Sequence, residues 1–528
     1  MLACSVATDG MKARTASAVL GVIIVAAFSI HLLGPVYRPF WMDEASTYWT
    51  IRQPLPSLLA GARTDGSPPL YFLVAWLASR VGGTSEFALR WPSVTAATLL
   101  VPVVFAATRM VSTARAAVAA AGLAAVSPLV NYYAIEARGY AVVQLLAAVA
   151  LLALLYALRE PTRLTRWAAL GTALAALLLT HNYGLFLLPA PVLAALAAGG
   201  RDRVRVAMRA TGTVAAAFVL YLPWFRLALS NDAAGVSDWI ASWWHTMPPT
   251  AAIVRSIQLF AGGSRYPTYL SYLAQAPSSR VLGILALLVP SALIAVASVQ
   301  WGEAPQTPNT RRARAALLAS MMVPLVVALV YSFLREPIYV AGRYDTIALP
   351  PFLVLLAIGV DKLLAWRTIA GWAGLAAAGG LAAISLSPSF GPLQGVDQTE
   401  TQAVEYLRAA ARPDDQIICL GLRRPVVQYY LERAGWTPNL TSFPAEEERH
   451  PGWYSDRRLL ANPTALAREG RSLAAAIATL LRAGRHVWLL GSGHVDVDNY
   501  LYDPLFVDST LDPMRSRPEL AVFCLKTR

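Results

Sequence analysis

Long apolar runs recur through the first three quarters of the chain, and no other feature limits its fold so strongly. A run of roughly 17–25 apolar residues crosses the hydrocarbon core as a helix, because a helix pairs its own backbone polar groups where no water can. About eleven such runs predict spanning helices at 16–35, 92–109, 114–131, 138–157, 165–181, 184–200, 207–226, 281–300, 314–333, 343–361 and 367–387. Of 528 residues, 56% are hydrophobic and 14% are charged, whereas a soluble chain carries about a quarter charged residues. The expected class is therefore an α-helical polytopic membrane protein.

The net charge of +13 does not point to nucleic acid, because the basic residues form no single patch. They fall between apolar runs, as topology signals do. With Lys12 and Arg14 inside, the inside gaps hold Arg109 and Arg115, then Arg159, Arg163 and Arg166, then Arg201, Arg203, Arg205 and Arg209, then Arg311, Arg312 and Arg314, and finally Lys362 and Arg367. The alternation holds at every gap and sets the C-terminal end outside. The N-terminal run resembles a signal peptide but spans a bilayer and lacks a small-residue cleavage site, so it reads as an uncleaved first helix. High Ala and Arg content suggests a GC-rich bacterial genome, and the expected location is the bacterial cytoplasmic (inner) membrane.

The chain divides into a membrane part, 1–390, and an extracytoplasmic α/β domain, 391–528, with two long outer loops at 36–91 and 227–280. Within the first loop, Pro69 to Val81 is aromatic and short, which predicts a helix lying at the interface. The second carries Trp239, Trp243, Trp244 and His245, a density suited to the headgroup level. In the C-terminal part, Gln416 to Leu420 and His486 to Leu490 read as buried strands, and Thr401 to Ala411 and Ser472 to Ala483 as helices. Gly491-Ser492-Gly493 is a strand-end turn rather than a phosphate loop. Cys4, Cys419 and Cys524 have no metal-ligand spacing, and the last two are expected as buried thiols rather than a disulfide.

The polar residues assigned to the outer side gather at helix ends. Asp43 and Glu44 follow the first helix, and two adjacent carboxylates beside a bilayer must be solvated, paired or used. Asp65 precedes Ser67-Pro68-Pro69-Leu70-Tyr71. Tyr133, Glu136 and Arg138 lie in one loop, His181 and Tyr183 at a helix end, and Arg343 and Tyr344 at the start of the tenth helix. Arginine binds phosphate through a planar fork of donors, and a carboxylate takes a proton from an attacking hydroxyl. Each residue has a structural alternative. Glu136 and Arg138 would serve as a loop ion pair, Arg343 as a headgroup anchor, His181 as a satisfied helix end and Asp65 as a helix cap.

These residues lie in five motifs: the DE pair after helix one; D-x-x-P-P-L-Y; S-E-x-x-x-R-x-P-S at Ser85 to Ser93; S-P-x-x-x-Y-Y-x-x-E-A-R-x-Y; and R-Y-x-x-x-x-L-P. In that order, over roughly residues 16–360, they resemble the GT-C membrane glycosyltransferases, in the branch of protein O-mannosyltransferases and lipid A aminoarabinose transferases. The resemblance implies a polyprenyl-monophosphate sugar donor, mannose or pentose, and transfer with inversion at the outer leaflet. It implies Asp43 as general base, with Glu44 orienting it or holding the acceptor. It implies Arg138, Arg343 and Tyr344 at the donor phosphate, with Glu136 holding Arg138, and Asp65, Tyr133, His181 and Tyr183 in support. Where some members have a basic residue or His before the two prolines, this chain has Ser67, and Arg63 is the candidate replacement. Thr47 and Tyr48 stand where some aminoarabinose transferases carry an arginine, which argues against lipid A as acceptor.

The expected partners are the polyprenyl-phosphate sugar, membrane lipids and an envelope glycan, glycolipid or lipoglycan acceptor. No cofactor is expected. The branch is largely metal-independent, although Asp43, Asp65 and His181 offer ligand types for a divalent ion. Two alternatives stay open: protein O-mannosylation, and a transporter or flippase of lipid-linked glycan. The second calls for ionisable residues in mid-helix and repeated broken helices, and the sequence has no internal repeat.

Overall fold

The computed structural model describes residues 13–33, 38–64, 68–197, 200–230, 251–262, 277–299, 308–386, 396–437, 439–449, 456–491 and 495–528, together with Ile240, Trp244 and Tyr454. Its first part is helical. Helix α1 (Ala13–Leu33) is followed by three short helices, α2 (Met42–Arg52), α3 (Leu55–Thr64) and α4 (Leu70–Gly82). The long helices then begin: α5 (Glu86–Val111), α6 (Ala114–Ala125), α7 (Pro128–Ala134), α8 (Tyr140–Arg159), α9 (Leu164–Thr180) and α10 (Pro189–Ala197). They continue with α11 (Arg203–Ser230), α12 (Ala252–Gly262), α13 (Pro277–Ser298), α14 (Pro308–Leu334), α15 (Leu349–Trp366) and α16 (Thr368–Leu386).

A helix lies at each of the eleven predicted spans, and the protein is a multi-pass membrane protein. Seven of the described helices are long and apolar enough to cross a bilayer, and the bent pair α6 and α7 makes an eighth. The helices at 164–180, 182–197 and 368–383 are apolar but shorter. Large apolar side chains such as Val22, Val25, Leu220, Leu285 and Ile369 are exposed on these helices, as lipid-facing residues should be. The helix predicted over Pro69 to Val81 is present as α4, packed on α2 and α5.

Two differences from the sequence reading matter for the site. Helix α5 begins at Glu86 rather than 92, because Ser85 caps it by accepting the Ala88 N–H. The earlier start puts Arg90 on a helix. The run predicted at 114–131 is broken, and its halves meet at 50°. Pro128 has no N–H to continue the ladder, and it pushes Ser127 into an extended conformation (φ −61°, ψ 125°).

The C-terminal part is a five-stranded sheet of order β2-β1-β3-β5-β4, with β1 (Gln416–Leu420), β2 (Asn439–Phe443), β3 (Val487–Leu490), β4 (Ser509–Leu511) and β5 (Val522–Thr527). Strand β1 runs parallel to β2 and β3, and β5 is antiparallel to β3 and β4. Ile418 and Leu420 join Leu489, Ile477 and Leu501 on one face, while Ile417 and Cys419 join Trp488, Leu407 and Val427 on the other. Burial on both faces explains the unbroken apolar reading of Gln416 to Leu420. The faces are covered by α17 (Val396–Ala410) and α18 (Arg424–Arg433), and by α19 (Pro463–Arg482) and α20 (Val495–Asp508). Cys419 and Cys524 are free and buried, on strands separated by β3. Trp239, Trp243, His245, Ser492 and Gly493 lie outside the described residues.

The membrane helices pack closely where glycine permits. A Cβ on Gly359 of α15 would sit 2.2 Å from the Leu293 carbonyl oxygen of α13. Gly359→Ala should therefore push the two helices apart and cost about 1–3 kcal/mol, the usual range for overpacking. Gly379→Ala, with nothing within 4 Å of the new methyl, should be neutral. Thermal unfolding of the detergent-solubilised variants measures the difference.

Candidate functional site

Asp43 and Glu44 occupy the first turn of α2, where carboxylates meet unpaired backbone N–H groups and the positive end of the helix dipole. Neighbours on a helix diverge by about 100°, so the two acids enter different surroundings.

Glu44 is fully buried. Arg90 of α5, equally buried, donates from Nε to Oε1 and from Nη2 to Oε2, both at 2.7 Å. The same guanidinium donates to the carbonyls of Arg38 (2.6 Å) and Pro39 (3.2 Å). Glu44 Oε1 also accepts the backbone N–H of Ala137 at 2.8 Å. One ion pair thus ties the segment leading into α2 to the loop between α7 and α8. That loop is fixed again by Ser93 of α5, whose hydroxyl donates to the Glu136 carbonyl at 2.5 Å and the Arg138 carbonyl at 3.3 Å.

Asp43 faces outward from this clamp. Its Oδ2 accepts from Arg343 Nη2 at 2.6 Å and lies 4.0 Å from Arg138 Nε. The three side chains are 13–15% exposed, so the cluster opens to a surface. Oδ1 accepts no hydrogen bond from any described residue. Arg343 Nε donates to the Tyr140 hydroxyl at 2.7 Å. The turn before Arg343 needs a left-handed residue, supplied by Gly342 (φ +75°), and Tyr133 Oη donates to the Gly342 carbonyl at 2.6 Å.

Aromatic rings surround Arg343. Its guanidinium lies 5.3 Å from the Tyr140 ring centre, 5.6 Å from Tyr344 and 5.7 Å from Trp41. His181 lies 5.1 Å from Tyr344, and Tyr183 lies 6.0 Å from it. His181 Nδ1 accepts the Tyr183 backbone N–H at 3.1 Å, so the neutral ring carries its proton on Nε2.

Asp43, Arg138, Arg343, Tyr344, His181, Tyr183 and Tyr133 therefore come together, and Glu44 stands directly behind them. Glu136 corrects an expectation: it faces Arg38 at 3.8 Å, not Arg138, which turns to Asp43. Burial drives the Glu136 pKa up to about 7, against the opposing pull of Arg38. Arg63 lies in α3 with its side chain outside the described set, and Asp65 is also outside it. Among the described residues, no three His, Cys, Asp or Glu side chains are grouped to hold a metal.

Four residues of the cluster had no role assigned from the sequence. Arg90 lies in the S-E-x-x-x-R motif and Tyr140 ends the E-A-R-x-Y motif, so their types were visible while their partners were not. Arg38 carried no local signal. Asp345, fully buried directly after Arg343-Tyr344, lay outside the motif residues singled out from the sequence.

Residues 66–246 match the family model described as dolichyl-phosphate-mannose-protein mannosyltransferase. No curated protein matches the chain in sequence. Among solved structures, the oligosaccharyltransferase AglB of Archaeoglobus fulgidus, in complex with an inhibitory peptide and a dolichol-phosphate, superposes with a TM-score of 0.52 at 13% identity, over 97% of this chain and 74% of that one. An apo oligosaccharyltransferase from the same organism gives 0.50 at 15% identity, over 81% of this chain and 64% of that one. ArnT of Cupriavidus metallidurans in the apo state covers 97% of this chain and 98% of its own, at 15% identity and a TM-score of 0.47.

Two outcomes follow from this geometry. Glu44→Ala strands the Arg90 guanidinium without its carboxylate, and losing one partner of a buried pair costs about 3–5 kcal/mol; thermal unfolding in detergent should show a large loss. Glu136 has a folded pKa of about 7, above its ordinary 4.5. A carboxyl raised on folding contributes stability that is whole below its unfolded value and lost as the pH rises through its folded value. Stability should therefore decline between about pH 4.5 and 7, and Glu136→Gln should flatten that decline in pH-dependent unfolding. In its fold, and in the family model that matches part of its first half, the chain resembles the GT-C membrane glycosyltransferases.

Proposed function

We propose that this protein transfers a sugar, with inversion, from a polyprenyl monophosphate to an envelope glycan, glycolipid or lipoglycan at the outer face of the bacterial inner membrane. The observation that carries the reading is the convergence of one carboxylate and two guanidiniums in an opening walled by aromatic rings. The matched family model and the dolichol-phosphate in the AglB complex support a polyprenyl-phosphate donor. The outer face follows from the basic inside gaps. The C-terminal residues 391–528, as an extracytoplasmic domain, are part of the same reading.

In this reading Arg343 and Arg138 bind the donor phosphate, with Tyr344 beside it. The acceptor hydroxyl gives its proton to Asp43 Oδ1, the oxygen that accepts no hydrogen bond from a described residue. The acceptor oxygen bonds to the anomeric carbon as the carbon–oxygen bond to phosphate breaks, and the phosphate leaves with the electron pair. Charge grows on that phosphate in the transition state, where preplaced guanidiniums stabilise it most. Attack opposite the leaving group inverts the anomeric centre. The leaving group is already an anion, so the second carboxylic acid of hydrolytic glycosidases is not needed. Glu44 takes no proton and positions Asp43 instead. His181, Tyr140 and Tyr183 line the sugar, and Tyr133 holds the Arg343 turn.

The description of the matching family model favours a second reading, a mannose donor with a protein acceptor. An acceptor panel of envelope glycolipids and hydroxyl-bearing peptides separates the two. With protein in nanodiscs and labelled polyprenyl-phosphate sugar, Asp43→Asn should lower kcat by about 10²–10⁴-fold, the usual contribution of a general base, and leave donor affinity near the parent value. Arg343→Ala should weaken donor binding. Parent-like transfer in Asp43→Asn would remove the base assignment, and unchanged affinity in Arg343→Ala would remove the phosphate clamp.

A further inference from the structure

Helix α2 carries Asp43, and its far side is covered by the C-terminal part of the chain. The Phe40 backbone N–H donates to the Tyr430 hydroxyl at 2.7 Å, across 390 residues. Trp49 Nε1 donates to the Pro425 carbonyl at 2.9 Å, and Arg52 Nη1 to Glu432 Oε2 at 2.7 Å. Tyr429 packs its ring 4.9 Å from Phe40 and 4.7 Å from Tyr48, and its hydroxyl donates to the Thr84 carbonyl at 3.4 Å. Pro425, Tyr429, Tyr430 and Glu432 all lie on α18.

The segment 38–40 is thus held from two directions. Arg90 takes the carbonyls of Arg38 and Pro39, and Tyr430 takes the next N–H. Asp43 follows three residues later, with no flexible link between, since α2 starts at Met42. We propose that α18 positions α2, so that the C-terminal part of the chain sets where Asp43 stands against Arg343 and Arg138. Tyr430 and Trp49 are then positioning residues for the transfer; neither lies among the residues that surround Arg343. The exposed Arg52–Glu432 pair adds little by itself, as such pairs do. The two hydrogen bonds and the aromatic contact carry the docking.

This inference rests on the transferase reading for its kinetic consequence, but not for its structural part. Tyr430→Phe and Trp49→Phe remove one hydroxyl and one N–H with ring packing kept. In the full-length protein in nanodiscs, amide hydrogen exchange over residues 40–45 should speed up by about tenfold in each. The kcat should fall by about tenfold with donor KM unchanged, because small misplacements of a reacting group are costly while the phosphate clamp is intact. Tyr502→Phe, in α20 of the same region, should leave both readouts at the parent values. Unchanged exchange in both test variants would overturn the docking. Faster exchange with parent kcat would overturn the positioning. An equal effect from Tyr502→Phe would mean general loosening and would also overturn it. Should the protein transfer no sugar at all, exchange still decides whether α18 fixes α2.

Discussion

The Arg90–Glu44 pair is the contact on which the geometry of this molecule turns. Taking two charges out of water costs several kcal/mol per ion, and their attraction offsets that only when the geometry is good. Here two parallel 2.7 Å hydrogen bonds join them, and other donors of Arg90 reach the Arg38 and Pro39 carbonyls. Such a pair is weak evidence for stability but a strong device for register. It fixes the entry to α2, and through the Ala137 N–H it fixes the next loop as well. Asp43, one residue before Glu44, inherits its place from that clamp. Arg138, one residue after Ala137, does likewise.

The broken helix is the second constraint. An unbroken helix from Ala114 would carry Tyr133 and the Glu136–Arg138 loop onward along one axis. The 50° turn at Ser127-Pro128 redirects α7, and Tyr133 then reaches the Gly342 carbonyl. That bond secures the turn that presents Arg343. Proline in a membrane helix is tolerated where neighbouring groups satisfy the freed backbone. Asn131 Nδ2 does this by donating to the carbonyls of Ala125 and Ser127, each at 2.9 Å.

What the sequence disclosed follows from the range of the physics involved. Apolar length is local, so all eleven helical positions were legible, and so was the run Gln416 to Leu420, whose two buried faces leave no polar position after Gln416. Helix ends were less legible: the span read as starting at 92 begins at Glu86, where the Ser85 cap sits in polar sequence outside the apolar run. Strands β2 and β4 carry too little apolar pattern of their own and depend on pairing with β1 and β5; β5 has an apolar run at Val522 to Leu525 that the sequence reading did not pick out. The residue types at the site were readable from the motifs, but their pairing was not. Glu136 and Arg138 are close in sequence yet find different partners, since each is directed by contacts 43 to 98 positions away, such as Ser93 with Glu136 and Arg38 with Glu136. Arg38 and Arg90 meet carboxylates, and Arg90 also carbonyls, that are distant in sequence, and no spacing rule announces that.

The adjacent acids illustrate why two neighbours of one type are not redundant. Glu44 accepts three strong hydrogen bonds in a site sealed from solvent. Protonating it would discard an oxygen that Arg90 or Ala137 requires, leaving a buried donor unpaired, which costs more than the bond itself contributes. Asp43 meets its guanidiniums through a single oxygen and keeps partial exposure. A proton arriving on its other oxygen displaces no bond from a described residue. The same turn of helix thus supplies one carboxylate that is fixed and one that is able to react, and the fixed one is what makes the position of the other definite.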